Sequence, residues 1–300
     1  MTDASETEPE PPSGAGDAAC AADSSSTDAT SASTDRDAWV VLGAGTILSE
    51  SERGCAGYAL DLSGSDDLTL FDCGPGTLRS LVNRGYAYEQ VKRIVVSHFH
   101  TDHVLDLFAL GFARRNPDFE AGPLELIGPK GLQAFVEKVG RALGGVERGF
   151  DGVRYLEVDP GEGIASKDFE EYRLSTVDTH HTKAALAWRA DLPGGGSVCF
   201  SGDSGEEIAV AKLAQDVELF CCECSFPEEH AQPNHLHPEG AARLAAHAGA
   251  QRLLLTHFYP SMDPERARQD AAALFDGVIE LARDGSRHPL GVQGTVEDAP

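Results

Sequence analysis

Ser97-His98-Phe99-His100-Thr101-Asp102-His103 places three imidazoles and a carboxylate within six residues, after the short apolar run Arg93-Ile94-Val95-Val96 and before the apolar stretch 104–112. In extended backbone, side chains repeat every two residues, so His98 and His100 point the same way and can share one ion. Asp102 and His103 come after the strand ends, at an expected helix start, where they can face a second ion. Imidazole with carboxylate suits Zn²⁺, and also Mn²⁺ or Fe. Left alone, three neighbouring histidines would charge and repel as pH falls, with no structural gain. The stretch therefore reads as a metal-binding motif at a strand-to-helix junction.

Working outward, the apolar runs around this motif are short and punctuated by turn residues. Trp39-Val40-Val41-Leu42 ends at Gly43-Ala44-Gly45, a tight turn too short for a dinucleotide fingerprint. Residues 58–62 and 68–71 read as a strand pair around Ser63-Gly64-Ser65-Asp66. Further strands are expected at 93–96, 124–127, 155–158, 172–177, 186–190, 198–200, 219–222 and 253–255. Leu132, Phe135, Val136, Val139 and Leu143 follow helical spacing. A second helix is expected over 238–247, opened by Pro238, and a third over 264–283, opened by Asp263-Pro264. The result is a mixed α/β domain of many strands, arranged as two sheets with helices outside.

Composition bounds the partners. The chain has 300 residues, with 49 acids against 24 bases, a formal charge of −25. Residues 1–36 hold eight acids, one base and almost nothing to bury, and are expected to be a disordered acidic tail. Residues 37–300 then form one domain that still carries −18. Such a surface repels a phosphate backbone, and Lys92-Arg93 and Arg114-Arg115 are too few basic pairs for a duplex footprint, so strong nucleic-acid binding is not expected. Seven cysteines, an odd count, make a poor disulfide framework and suggest a reducing compartment. With no signal segment and no long apolar span, the expected address is cytoplasmic, with no membrane partner and a homodimer left open.

More ligand candidates sit at the ends of strands. His180 and His181 follow the expected strand 172–177, Asp203 follows 198–200 in Ser201-Gly202-Asp203-Ser204, and His257 follows 253–255 in Thr256-His257-Phe258. Alone, each is weak; their shared position beside the first motif makes them ligands. Strand parity does not choose between His180 and His181.

An HxHxDH motif, then a lone His, a Gly-Asp-Ser and a late Thr-His, in that order, resembles the metallo-β-lactamase superfamily over residues 38–260. That superfamily's fold is a four-layer αββα sandwich, two mixed sheets flanked by helices, with metals along one edge of the sheets. Leu42-Gly43-Ala44-Gly45-Thr46, Phe71-Asp72-Cys73-Gly74-Pro75-Gly76-Thr77 and Leu254-Leu255-Thr256-His257-Phe258 look most like its ribonuclease Z branch. The resemblance chooses His181 over His180. It implies that His98, His100 and His181 hold one metal ion, that Asp102, His103 and His257 hold the other, and that Asp203 bridges them. Asp72 becomes a carboxylate that orients a ligand histidine.

The chain departs from that branch in two places. A His-Glu-Ala-Thr motif is expected where Cys222-Glu223-Cys224-Ser225 stands, so the glutamate is kept and the histidine is not. His235, in His235-Leu236-His237, would match the histidine that assists the leaving group, with Glu223 as its orienting carboxylate. Only 22 positions separate His181 from Asp203, where ribonuclease Z enzymes carry a basic tRNA-gripping arm. Cys221, Cys222 and Cys224 lack a second pair at finger-like spacing and read as strand-core packing.

The expected chemistry is that of a dinuclear metal hydrolase of phosphodiesterase type, using a metal-bridging hydroxide. Asp102, Asp203, His235 and Glu223 are its catalytic residues, and a small-molecule or nucleotide ester is its substrate. Endonucleolytic tRNA 3′ processing is the alternative. Hydrolysis of an aryl sulfate, thioester or lactone, and a non-catalytic metal-binding role, rank lower.

Overall fold

The computed structural model describes residues 36–291 except 160 and 162. The expected tail, residues 1–36, lies outside the described residues apart from Arg36.

Two seven-stranded sheets face each other. The first half of the chain supplies β1 (Ala38–Gly43), β2 (Gly57–Asp61), β3 (Leu68–Cys73), β4 (Val91–Val95), β5 (Glu125–Pro129) and β6 (Arg154–Val158), with α1 (Thr77–Asn83), α2 (Thr101–Ala113) and α3 (Leu132–Ala142) between them. The second half supplies β7 (Ala165–Asp168), β8 (Arg173–Asp178), β9 (Leu186–Asp191), β10 (Ser197–Phe200), β11 (Leu219–Glu223), β12 (Arg252–Thr256) and β13 (Val278–Leu281), with α4 (Ile208–Leu213), α5 (Pro238–Ala248) and α6 (Pro264–Ala272). Strand β14 (Arg287–Pro289) returns to the first sheet, giving the orders β14-β1-β2-β3-β4-β5-β6 and β13-β12-β11-β10-β9-β8-β7. In both sheets, antiparallel hairpins give way to parallel strands joined by helices. This is the four-layer αββα sandwich.

Alternation along each strand explains the unbroken apolar runs. In β1, Trp39 and Val41 enter the layer between the sheets, while Val40 and Leu42 face the first half's helices. Trp39 stacks on Tyr58 at 5.4 Å and also meets Phe71 and Phe200, tying four strands of the inter-sheet core together. In β11, Cys221 joins that layer, whereas Cys222 packs with the alanine-rich face of α5. All six described cysteines are buried free thiols.

The expected helix 264–283 needs correction. It ends at Ala272, and 278–281 is β13, paired in parallel with β12. The chain leaves the helix at Ala273 and turns before Gly277, where a Cβ would come within 2.9 Å of the Gln251 carbonyl oxygen. Once past that turn, Val278 and Ile279 satisfy the open edge of β12. A short apolar run after a helix is ambiguous by periodicity alone. Two short helices, α1 and α4, and strands β7 and β14 are additions; β7, Ala-Ser-Lys-Asp, is largely exposed and joins β8 through backbone hydrogen bonds. No helix among the described residues is long and apolar enough to cross a membrane.

Candidate metal centre

The centre lies where β3, β4, β8, β10, β11 and β12 end. Beyond β4 the chain bends at Ser97 and is extended at His100, the N-cap of α2. His98 is fully buried in the cleft, and Phe99 turns the other way to stack on Phe135 at 4.7 Å. The helix then begins, and its first turn carries Asp102 and His103, where a carboxylate also suits the helix dipole. Gly74 lets this helix start approach: a Cβ there would run into the carbonyl of Asp102.

Two clusters result. His98, His100, His181 and Asp203 bring one ligand-type atom each to within 4.8 Å of one another, and so do Asp102, His103 and His257. Asp203 stands between them. Its Oδ2 is 3.7 Å from His98 Nε2 and 3.5 Å from His181 Nε2, which in turn is 3.3 Å from His100 Nδ1. Its Oδ1 is 3.3 Å from His103 Nε2 and 3.4 Å from His257 Nε2. Asp102 Oδ2 is 3.9 Å from His103 Nε2 and 3.6 Å from His257 Nε2, and accepts the Ile47 N–H at 3.1 Å. His180 stays outside, 68% exposed near Asp178 and Glu207.

Four atoms test whether the centre fits metal. His98 Nε2, His103 Nε2, His257 Nε2 and Asp203 Oδ1 are buried and have no hydrogen-bond partner. Orphaned polar atoms are costly and rare in a folded core. Here they belong to the His/Asp clusters, where bound metal could satisfy them.

The electrostatics agree. Burial, and then His103, hold the His98 imidazole well below its ordinary pKa; burial and His181 lower that of His100. For Asp102, burial acts upward but is outweighed by His257 and His103, which bring its carboxyl down to about 2. Asp203 is also held well below the carboxylate range, because His257 and His103 outweigh burial. Neutral imidazoles and ionised carboxylates are the forms that bind metal. His103 moves the other way: burial lowers it, but Asp203 and Asp72 raise it well above its ordinary value. The field that would keep a proton there is one that attracts a cation.

A surrounding hydrogen-bond shell aims the ligands. Asp72, with φ 57°, accepts the Ser97 N–H and the Ser97 hydroxyl, each at 2.7 Å, and lies 2.7 Å from His103 Nδ1. Ser97 Oγ is also 3.0 Å from His98 Nδ1. His181 Nδ1 donates to the Asn234 carbonyl at 2.8 Å. His257 Nδ1 is 3.0 Å from Ser225 Oγ, whose hydroxyl donates to Glu223. Sequence reasoning missed Ser97, Ser225 and Asn234. Ser225 stands two residues beyond Glu223, a spacing that in extended chain shares a face, so a signal for it was there.

His235 Nδ1 is 3.2 Å from both Glu223 oxygens and 4.0 Å from Asp203 Oδ2. Burial lowers its pKa, but Glu223 and Asp203 outweigh that and lift it to about 9. Cys222, at the position of the missing histidine, faces α5, away from the cleft, and burial pushes its thiol well up. The interval between His181 and Asp203 folds as the β9–β10 hairpin, closed where Leu192 N–H bonds to the Gly196 carbonyl at 2.8 Å.

Residues 69–258 match the family model of the "Beta-lactamase superfamily domain". The chain belongs to the β-lactamase superfamily. Among superfamily relatives, the uncharacterized protein Rv1339 of Mycobacterium tuberculosis is 30% identical over 251 residues, covering 80% of this chain and 87% of that protein. Ribonuclease Z of Methanopyrus kandleri is 26% identical over 278 residues, covering 81% and 94%. Among solved structures, the metallo-β-lactamase fold protein YhfI of Bacillus subtilis superposes with a TM-score of 0.71 at 24% identity, over 84% of this chain and 99% of YhfI. This chain is thus a hydrolase of the metallo-β-lactamase fold, a fold that implies divalent metal, and its His/Asp clusters could hold it.

Proposed function

We propose that the chain is a dinuclear metal-dependent phosphodiesterase acting on a small or accessible ester, a nucleotide ester included. The observation that carries this reading is Asp203, which turns one oxygen toward each histidine cluster. His98, His100 and His181 would hold one ion, Asp102, His103 and His257 the other, and Asp203 would serve both. Divalent metal, Zn²⁺ first with Mn²⁺ or Fe as alternatives, would lower the pKa of water toward neutrality and offset charge on the phosphoryl oxygens. Asp203 would hold the attacking water and accept its proton. Glu223 fixes His235 through Nδ1, which leaves Nε2 to give a hydrogen bond or proton to the departing oxygen. A ligand set of nitrogen and oxygen only, with two aspartates, supports this hard, phosphate-type chemistry over softer alternatives.

The second reading is tRNA 3′ processing, and the relatives named ribonuclease Z speak for it. The short β9–β10 hairpin in the interval where those enzymes carry a gripping arm, and the −18 of residues 37–300, speak against it.

The test is a substrate panel on chelated and metal-reloaded protein. Bis-p-nitrophenyl phosphate or a nucleotide phosphodiester should be cleaved, with activity lost to chelator and restored by Zn²⁺ or Mn²⁺. Efficient cleavage of precursor tRNA at low enzyme concentration would establish the second reading instead. His235→Ala should cost on the order of 10²–10⁴ in rate for a poor leaving group and far less for p-nitrophenolate. Equal losses on both would remove the acid role from His235.

A further inference from the structure

The hydrophilic floor of the cleft has an apolar rim that phosphoryl chemistry does not need. Phe226 follows Ser225 beyond β11, and Tyr259 lies two residues past His257 beyond β12. The adjacent parallel strands set them together, with the Tyr259 N–H 3.4 Å from the Ser225 carbonyl. Their rings stack with centroids 4.5 Å apart and planes 21° apart. Phe226 also meets the His235 ring edge-on at 5.7 Å, and Tyr259 lies 6.1 Å from the His257 ring and 6.5 Å from that of His235. Both aromatic rings are only partly buried.

Ile47 and Leu48 add apolar surface on a second segment anchored at the cleft. The Ile47 backbone is held by Asp102, the same carboxylate that faces His257, and the segment is fixed by pairing of Gly45 with Phe258. Their side chains are nevertheless 48% and 58% exposed. One exposed aliphatic residue means little, but two adjacent ones on a segment bonded to a cleft carboxylate, and a part-open aromatic stack beside two cleft histidines, offer apolar surface suited to a flat group.

We propose that Phe226 and Tyr259, with Ile47 and Leu48, are the platform on which a planar aromatic group of the ester substrate, a nucleobase or an aryl ring, stacks while the phosphoryl group sits over the ligand clusters. This rests on the phosphodiesterase reading and adds the substrate class. Stacking on aromatic side chains tolerates many planar groups because each offers a π-face.

Binding can test this without turnover. Calorimetric titration of the zinc-loaded full chain with phenylphosphonate against methylphosphonate probes an aryl ring, and thymidine 5′-monophosphate against ribose 5-phosphate probes a nucleobase. In at least one pair the planar ligand should bind on the order of 10-fold tighter. Phe226→Ala and Tyr259→Ala should bring that ratio toward one, and the bulk-conserving Phe226→Leu and Tyr259→Leu should lower it with metal content and melting temperature kept. The pair that shows the preference identifies the source of the ring. A ratio near one in both pairs for the unaltered chain, or a ratio that survives in all four variants, overturns the platform. If the binding ratio is found but the metal-loaded chain hydrolyses no phosphodiester, the reaction assignment fails while the platform stands.

Discussion

At the connection between β13 and β14, His288 has a partner on each ring nitrogen: Glu280 lies 2.5 Å from Nδ1 and Ser286 Oγ 2.9 Å from Nε2. The other Glu280 oxygen accepts from Arg252 at 3.0 Å, and Arg252 also reaches Glu218 at 3.2 Å. In the cleft, His103, His257, His181 and His98 likewise have Nδ1 occupied, by Asp72, Ser225, the Asn234 carbonyl and Ser97, yet the buried Nε2 atoms of His98, His103 and His257 have no partner. Both places join buried imidazole to carboxylate. The first closes on itself and holds the last strands together. The second is satisfied on its outer side and left open toward a common centre, as ligands around an ion are. Burial and a nearby carboxylate therefore do not tell the two places apart; the unpaired nitrogens do.

Several substitutions would break this contrast. The greatest loss is expected from Asp203→Asn, because Asp203 reaches both clusters: turnover should vanish and metal content should fall. His181→Ala touches one cluster and should lose less of both. Metal analysis beside steady-state rates checks the order, and equal losses in activity with metal lost only from His181→Ala would remove the bridging role. Next in size, Asp72→Asn should weaken metal binding about 10- to 100-fold in chelator competition, since it orients His103 and, through Ser97, His98. Ser225→Ala should fall at the lower end of that range, because it frees one ligand, His257, and leaves Glu223 with His235 and the Ser204 N–H.

The smallest effect on activity is expected in the closed cluster. Glu280→Gln should leave metal content and rate unchanged while costing about 1–3 kcal/mol of stability, read from denaturant unfolding. Its pH dependence has a defined sign. Burial raises the Glu280 carboxyl, but His288 and Arg252 outweigh it and hold the folded pKa below the ordinary value. The stabilisation is therefore present above the unfolded carboxylate pKa, about 4.3, and is lost as pH falls through the lower folded value. The gap between the unaltered chain and Glu280→Gln should stay level from pH 7 to 5.5 and shrink below about pH 4.3. A gap that widened on acidification would contradict the assignment.

Much of the candidate centre could be read before folding because its elements are local. The two-residue period that puts His98 and His100 in the cleft also puts Phe99 on Phe135, and strand-end positions marked Asp203, His257 and the pair His180-His181, of which His181 is the one in the cluster. Adjacent cysteines in β11 belong to opposite faces for the same reason. The helix that was drawn too long shows where this reading stops: nothing local tells Val278-Ile279-Glu280-Leu281 whether to extend α6 or to pair with β12. The open edge of a strand far away in sequence decides it.

By itself, then, the sequence determined the kinds of ligand atom, their order along the chain, and the layered architecture, because side-chain chemistry and periodicity are properties of neighbouring residues. Which nitrogens are left without a partner, that Asp203 turns one oxygen toward each cluster, and that Phe226 stacks on Tyr259 are set by the folded chain. Each of these depends on the register between strands and on contacts between residues tens of positions apart. Those distances are fixed when the two sheets pack, and no local period encodes them.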